Sequence, residues 1–281
     1  MAQRKAGIIG DPISHSMSPT IHGHWLRRFG LNATYLAMHV SSDRVPEHLK
    51  ALADEGYSGI NVTVPHKERV FQLCDDLTPT ARAIGAVNIV RFANGKYIGD
   101  NSDAYGFWAH LKQSLNNQRY SAPKRDALIV LLGAGGAARA VLFALKSQGF
   151  NNIRIANRSQ NKAEALASTI GSGIATPWAE RRRIAEQAAL IINSTSLGMA
   201  GQPPLFEGEE KPAFGPEQIV YDLVYKPLET ELLAIAKAGG ALAIDGLGML
   251  LHQAVPSFDA FFGQTPTIDP VLQTLIVNRI S

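Results

Sequence analysis

The sequence predicts an α/β protein that folds as two α/β domains, and three observations support this fold class. Short apolar stretches of strand length alternate with helix-like stretches through the first hundred residues. A polar, turn-rich passage then follows at residues 116–124, and the strand–helix alternation restarts after it with a glycine-rich turn. A chain of 281 residues is long enough for two such domains.

The elements of the first domain follow from local signals. Pro19 is tolerated in the first turn of a predicted helix, and Asn94-Gly95 is a strong hairpin turn. Strands are predicted at residues 6–9, 34–40, 59–64, 88–92 and 96–98. Helices are predicted at residues 18–29 and 44–55, from Pro65 onward, and at 102–116.

The second half repeats the same alternation. Strands are predicted at residues 128–132, 152–156, 190–192, 219–221 and 241–244, with helices between them, for example at 229–238. Residues 200–217 are rich in proline and glycine and predict a surface loop. Two last helices, at residues 248–262 and 269–280, are more than a nucleotide-binding unit needs and could return to the first domain.

Composition excludes several function classes. The content of 46% hydrophobic and 18% charged residues is that of an ordinary globular protein, and the net charge of +3 is mild. Arg181-Arg182-Arg183 lies between acidic residues, so we expect a solvated helix face rather than a nucleic-acid site. The single cysteine, Cys74, excludes an internal disulfide and has no metal-ligand cluster around it. Neither a signal peptide nor a membrane-length apolar run is recognisable, so we expect a cytoplasmic protein.

A glycine-rich turn indicates a dinucleotide site. The apolar run 128–132 leads into Gly133-Ala134-Gly135-Gly136-Ala137, and a small-residue helix begins at once. Such a turn lets backbone N–H groups at a helix N-terminus meet a pyrophosphate, with Ala138 in place of the usual third glycine. The turn alone is equally compatible with a tight turn that binds nothing.

The end of the next strand, about 20 residues further on, indicates which dinucleotide is bound. NAD-binding units usually carry an acid there, whereas this chain has Asn157-Arg158-Ser159, with Lys162 one helical turn later. A guanidinium and an ammonium suit a 2′-phosphate, so the sequence predicts NADP. The alternative is a solvated, basic helix start.

Polar groups also gather after the strands of the first domain. The hydroxyls of Ser14–Ser18 open a helix and suit a carboxylate, although Ser16 or Ser18 could simply cap that helix. Lys67 lies in the first turn of a predicted helix, where the helix dipole disfavours a cation. A lysine at this position indicates a role in proton transfer, and the alternative is an ordinary exposed lysine. Asp103 could pair with Lys67 and bind a substrate hydroxyl. Alternatively, it could only place a negative charge at the N-terminus of its own helix.

These segments, in this order, resemble the shikimate dehydrogenase family over essentially the whole chain. The segments that carry the resemblance are 14–19, 61–67, 85–88, 101–103, 133–138, 157–159, 193–199, 222–225 and 246–253. The resemblance implies an N-terminal substrate domain (1–104 and 248–281) and a Rossmann-like NADP-binding domain (105–247), with the C-terminal helices returning to the first domain.

The resemblance also implies roles for individual residues. Lys67 would be the acid/base, coupled to Asp103. Substrate would be bound by Lys67 and by Ser16, Ser18, Thr63, Asn88, Asp103, Tyr225 and Gln253. Cofactor would be bound by Gly133, Ala134, Gly135, Gly136, Ala137, Asn157, Arg158, Ser159 and Lys162, and by Thr195, Ser196, Leu197, Gly198, Met199, Leu223, Gly246 and Met249. No metal is implied.

The implied activity is the reversible, NADPH-dependent reduction of 3-dehydroshikimate to shikimate. These two compounds would be the small-molecule partners. The resemblance implies no binding to nucleic acid or to a membrane, and a homodimer is possible. One rival is a quinate/shikimate dehydrogenase that uses NAD, and it is disfavoured because Ser159 stands where that class tends to have an acid. Other rivals are a catalytically silent paralogue that binds shikimate or nucleotide, and a paralogue acting on an amino-substituted ring.

Overall fold

The computed structural model describes residues 3–116, 120–208 and 210–280, so part of the turn-rich passage at 116–124 lies outside the described residues. The chain divides into two compact units. One contains the residues up to Asp103 together with Leu251–Arg279, and the other contains Ala104–Leu250 with Ile280. Within the described ranges, no helix is both long enough and apolar enough to cross a membrane.

The first unit is built on a mixed sheet. Its strands are β1 (Arg4–Gly10), β2 (Ala33–His39), β3 (Gly59–Val62), β4 (Asp76–Leu77), β5 (Ile89–Ala93) and β6 (Lys96–Asp100), in the spatial order β2-β1-β3-β5-β6-β4. Strand β1 pairs in parallel with β2 and β3, whereas β5 runs antiparallel to β3 and β6. The predicted Asn94-Gly95 hairpin is confirmed, with both residues at positive φ.

Helices cover this sheet. They are α1 (Ser18–Arg28), α2 (Val45–Asp54), α3 (Lys67–Leu73) and α4 (Pro79–Ile84), and α5 (Asp103–Leu115) begins at the end of the unit. Trp25 of α1 is fully buried, stacks edge-on against Phe258, and donates its indole N–H to the carbonyl of Thr267 at 3.1 Å. This contact ties the C-terminal segment to the first unit, as the two surplus helices suggested.

The second unit is a parallel sheet of the dinucleotide-binding kind. Its strands are β7 (Ile129–Leu132), β8 (Ile153–Ala156), β9 (Ile174–Thr176), β10 (Leu190–Asn193), β11 (Ile219–Asp222) and β12 (Leu242–Ile244), in the spatial order β12-β11-β10-β7-β8-β9. The near-continuous Val/Ile/Leu runs of β7 and β10 are buried on both faces, as expected for central parallel strands. The helices along this part of the chain are α6 (Gly136–Ser147), α7 (Gln160–Ile170), α8 (Arg181–Gln187) and α9 (Glu231–Ala238). The last two helices, α10 (Leu247–Phe262) and α11 (Pro270–Ile280), belong mostly to the first unit.

Three expectations need correction. The helix expected from Pro65 begins at Lys67, because residues 63–66 form a tight turn in which the His66 N–H donates to the carbonyl of Thr63. Strands β4 and β9 and helix α4 were not expected, since each is too short to show a period. The solvated arginine face is wrong for Arg181, which is only 7% exposed.

Candidate active site

Lys67 and Asp103 of the first unit meet, and each is the first residue of a helix. Lys67 is the first residue of α3 and Asp103 the first of α5. Their side chains are only 13% and 6% exposed, and Nζ lies 2.5 Å from Oδ2. The pairing proposed from the sequence is therefore present, and it places an ammonium and a carboxylate in a largely desolvated position where each is stabilised by the other.

Asn88 connects this ion pair to its surroundings. Its Oδ1 accepts the backbone N–H of Ser102 at 2.8 Å, which fixes the orientation of the amide. Its Nδ2 can then donate to Oδ1 of Asp103, at 2.9 Å, and it lies 3.4 Å from Oε1 of Gln253. The carboxylate of Asp103 consequently has one oxygen on Lys67 and the other on Asn88, and four of the predicted site residues lie together.

Two residues that were not predicted as site residues form a chain of hydrogen bonds to the backbone of Asn88. Asn61, 5% exposed, donates from Nδ2 to the carbonyl of Asn88 at 3.0 Å, and Tyr35 donates its hydroxyl to Asn61 Oδ1 at 2.7 Å. Burial raises the pKa of Tyr35 well above its ordinary value, so the phenol stays protonated and can keep donating.

The serine segment is not a simple helix cap. Met17 occupies the N-cap position of α1, and no side chain caps it there. Ser16 instead accepts the backbone N–H of Ser18, the first helical residue, at 3.3 Å. Ser18 is buried, whereas Ser16 and Thr63 are partly exposed.

The glycine turn of the second unit opens onto a groove of about 340 Å³. Gly133 has φ +107°, and a Cβ there would lie 2.6 Å from Ser194 Oγ, so only glycine fits. Gly135 precedes α6 and faces open space, which leaves room for a ligand against the backbone. The groove is lined by Gly133, Ala134, Gly135, Asn157, Arg158, Ser159, Lys162, Trp178, Ser194, Thr195, Ser196 and Leu197.

The cationic end of this groove is formed after β8. Arg158 and Lys162 are exposed there, and Asn157 donates from Nδ2 to the carbonyl of Ser159 at 2.9 Å, which shapes the turn into α7. The residues that line the groove include two cations and no carboxylate. Its electrostatics therefore suit a phosphate better than a pair of ribose hydroxyls.

A buried carboxylate is hydrogen-bonded, through Asn193, to Thr195 of the groove lining. Asp222 is fully buried and accepts from Asn193 at 2.9 Å, from the Val224 N–H at 3.0 Å and from the Thr230 hydroxyl at 2.7 Å. Asn193 Oδ1 in turn accepts the N–H and hydroxyl of Thr195. Since no cation compensates within these contacts, burial raises the pKa of Asp222 to about 6.

The remaining predicted cofactor and substrate residues of the second unit are not among the residues that line the groove. Gly246 packs against Leu223, whose carbonyl oxygen would be 2.1 Å from a Cβ at Gly246. Met249 is buried, and burial raises the pKa of the half-buried Tyr225. Gly198, with φ +89°, and Met199, 43% exposed, continue the chain beyond the groove-lining residues. Gly136 and Ala137 form the first turn of α6.

Family models match three parts of the chain. Residues 8–90 match the shikimate dehydrogenase substrate binding domain, residues 115–203 match shikimate / quinate 5-dehydrogenase, and residues 246–276 match the shikimate 5′-dehydrogenase C-terminal domain. A shikimate dehydrogenase (NADP(+)) of Methylobacterium radiotolerans is 47% identical over 100% of this chain and 99% of its own length.

The chain belongs to the shikimate dehydrogenase family.

Solved structures of related proteins agree with this assignment. The shikimate 5-dehydrogenase of Thermus thermophilus, in complex with NADP(H) and shikimate, superposes with a TM-score of 0.83 at 33% identity, covering 99% of this chain and 100% of that one. The quinate dehydrogenase of Corynebacterium glutamicum, in complex with NAD, has a TM-score of 0.86 at 29% identity, covering 98% and 99%. The two-domain α/β fold is thus shared by shikimate dehydrogenases and by a quinate dehydrogenase.

Sequence reasoning missed Tyr35, Asn61 and Trp178. Asn61 carried a signal, because strand alternation places it on the same face as Thr63. Tyr35 lies in a strand two positions away in the sheet, and no local pattern indicates its bond to Asn61. Trp178 follows a three-residue strand that was not expected.

We predict that Asp222→Asn changes how stability depends on pH. Its folded pKa of about 6 exceeds the ordinary value of 3.8, so between these values the unfolded chain releases a proton that the folded protein keeps. Wild-type stability therefore falls as pH rises through this interval, by up to about 1.4 kcal/mol per pH unit from this group. An asparagine removes this loss, so the stability of the variant relative to wild type should increase from pH 4 to pH 6.

The measurement is urea unfolding of both proteins between pH 4 and pH 7. Asp126→Asn, at an exposed carboxylate of the same unit, is the matched control and should run parallel to wild type. Parallel curves for Asp222→Asn as well would show that Asp222 is not protonated in the folded state.

Proposed function

We propose that this protein is an NADP-dependent shikimate dehydrogenase. It reduces the 3-keto group of 3-dehydroshikimate to shikimate, reversibly, in the biosynthesis of chorismate and the aromatic amino acids. The observation that carries the proposal is the desolvated pair of Lys67 and Asp103, oriented by Asn88, in a member of this family. The proposal includes the cytoplasm as the location, and the first unit as the substrate domain.

Residues of the first unit would bind the substrate and transfer the proton. Lys67 would give a proton to the substrate oxygen during reduction and take it back during oxidation. Asp103 would hold the ammonium of Lys67 in place and accept from a ring hydroxyl, while Asn88 and Gln253 bind neighbouring hydroxyls. Ser16 and Ser18, at the start of α1, would bind the carboxylate, where the helix N-terminus favours an anion. Thr63 and Tyr225 would be the other substrate-binding residues.

The second unit fits NADP. The positive φ of Gly133, the open space at Gly135 and the free N-terminus of α6 suit a pyrophosphate, and Arg158 with Lys162 suits the 2′-phosphate. The bound cofactor would also be bordered by Thr195, Ser196, Leu197, Gly198, Met199, Leu223 and Gly246, with Met249 near its nicotinamide. When bound, this cofactor supplies or accepts the hydride.

Two rivals remain distinguishable. A quinate/shikimate dehydrogenase that uses NAD is favoured by the structural likeness to a quinate dehydrogenase, but the cations of Arg158 and Lys162 argue for the phosphorylated cofactor. A catalytically silent binding protein would have no need for the Lys67–Asp103 pair, so its presence argues for catalysis.

The decisive experiment is a two-by-two activity matrix. Shikimate and quinate are each offered with NADP and with NAD, and reduced nicotinamide is followed by absorbance. We expect the highest kcat/KM for shikimate with NADP. A preference for quinate with NAD would establish the first rival. Binding of shikimate without turnover in any of the four combinations would establish the second.

Lys67→Met should lower kcat steeply. A positioned acid/base contributes about 10²–10⁴-fold to rate, and methionine keeps the apolar stem while removing the proton. The KM for shikimate should change little, because the serine segment and Asn88 remain. Lys96→Met is the control, since Lys96 forms an exposed ion pair with Asp76 in the same unit. A Lys67→Met enzyme with near wild-type kcat would exclude Lys67 as the proton donor.

Arg158→Ala should weaken the preference for NADP over NAD. The guanidinium offers charge-assisted hydrogen bonds, each worth about 1.5–3 kcal/mol, so kcat/KM for NADP should fall roughly tenfold or more. The value for NAD should barely move. Arg183→Ala, at an exposed arginine paired with Glu180, is the control. If the NADP/NAD ratio of kcat/KM survives in Arg158→Ala, the 2′-phosphate is bound elsewhere.

A further inference from the structure

Trp178 lies in the groove without a role in the functions described so far. It comes two residues after β9, the strand next to β8, and Arg158 follows the end of β8. Both residues line the same groove as the glycine turn after β7. Three neighbouring parallel strands therefore present, at their carboxyl ends, a glycine turn, a cation and an indole.

Arg181 holds this indole in place. Its guanidinium carbon lies 4.6 Å from the centroid of the Trp178 ring, and its Nη1 donates to the carbonyl of Trp178 at 3.1 Å. Its Nε donates to the carbonyl of Leu205 at 3.3 Å, and Phe206 lies on the guanidinium at 5.7 Å. A buried arginine with these contacts keeps the indole in one orientation, because moving the ring would give up a cation–π contact in a desolvated place.

Trp178 is also chemically different from the rest of the groove lining. The backbone of the glycine turn suits a pyrophosphate, and Arg158 and Lys162 suit a phosphate, whereas the indole of Trp178 adds an uncharged aromatic face on which a base can stack. Among the described residues that line the groove, Trp178 is the single aromatic side chain. In dinucleotide-binding units the pyrophosphate lies at the glycine turn and the adenosine extends from it along the neighbouring strand ends.

We propose that the indole of Trp178 is the stacking platform for the adenine base of the cofactor, and that Arg181 is the residue that positions it. The inference rests on the proposed use of NADP and deepens it by naming the adenine subsite. Stacking needs only the face of the base, so Trp178 contributes equally to NADP and NAD. Arg158, in contrast, acts only on the cofactor that carries the 2′-phosphate.

The different roles of Trp178 and Arg158 can be tested by binding measurements alone. The probe is adenosine 2′,5′-bisphosphate, which carries the adenine and the 2′-phosphate and has no nicotinamide. Trp178→Ala should weaken its binding roughly fivefold to a hundredfold, the range seen when an aromatic platform under a base is removed. NADP and NAD should lose affinity by the same factor. Trp178→Phe should keep most of the affinity, because it keeps an aromatic face.

Intrinsic fluorescence gives a second readout that a purely structural role of Trp178 would not produce. The sequence has three tryptophans, Trp25, Trp108 and Trp178. Adenosine 2′,5′-bisphosphate should quench the emission of wild type and of Trp108→Phe, the matched control at a half-buried tryptophan of the same unit. In Trp178→Phe the quench should disappear, while calorimetry shows that the probe still binds.

The outcomes separate this inference from the proposed function. If wild type oxidises shikimate with NADP but Trp178→Ala binds the probe normally, or if the quench persists in Trp178→Phe, the adenine platform is refuted and the proposed function stands. Loss of affinity for NADP but not for NAD would also refute it, because the indole would then act on the phosphate. If wild type neither binds the probe nor turns over shikimate, the proposed function itself fails. Should Trp178→Ala unfold, Trp178→Phe still decides the question.

Discussion

The carboxylate of Asp103 is buried, and a buried charge is tolerated only when every part of it is paired. Lys67 pairs with one oxygen and Asn88 with the other, so the starts of α3 and α5 and the segment before β5 must all converge on one point. The Val87 N–H donates to the carbonyl of Lys67, and the Asp103 N–H to Oδ1 of Asn101, which holds the backbone of these segments as well as their side chains. The geometry proposed for catalysis is thus also what makes the burial of Asp103 possible.

The second unit meets the same constraint in a different way. Asp222 is as deeply buried as Asp103, but its contacts are hydrogen bonds from Asn193, Val224 and Thr230 rather than an ion pair. The consequence is a pKa raised to about 6 and a carboxyl group that shapes a loop instead of holding a proton donor. A buried carboxylate that is paired with a cation, such as Asp103, is therefore a candidate catalytic group. A buried carboxylate without a cation, such as Asp222, has a structural role.

Local signals predicted much of the fold and part of the site. The glycine turn was recognisable because positive φ and close backbone approach require glycine at Gly133, and the hairpin because Asn94-Gly95 adopts the turn that joins β5 and β6. The start of α3 was misplaced by two residues, since a turn bonded from His66 to Thr63 has no signal that separates it from a first helical turn. The sequence predicts a solvated Arg181 and is wrong there, because the partners of Arg181, Trp178 and the carbonyl of Leu205, are set by loop conformations.

The sequence by itself determined the two-domain α/β class, the parallel nucleotide-binding sheet, the cationic turn at Arg158 and the candidate pair of Lys67 and Asp103, because each depends on residue type and short spacing. Only the tertiary structure decided that Tyr35 and Asn61 support Asn88, and that Trp178 lies in the groove with Arg181 against it. The physical reason is that hydrogen bonds and ring contacts between neighbouring strands and loops depend on distances in space. Residues far apart in the chain, or joined by irregular loops, carry no periodic pattern that reports those distances.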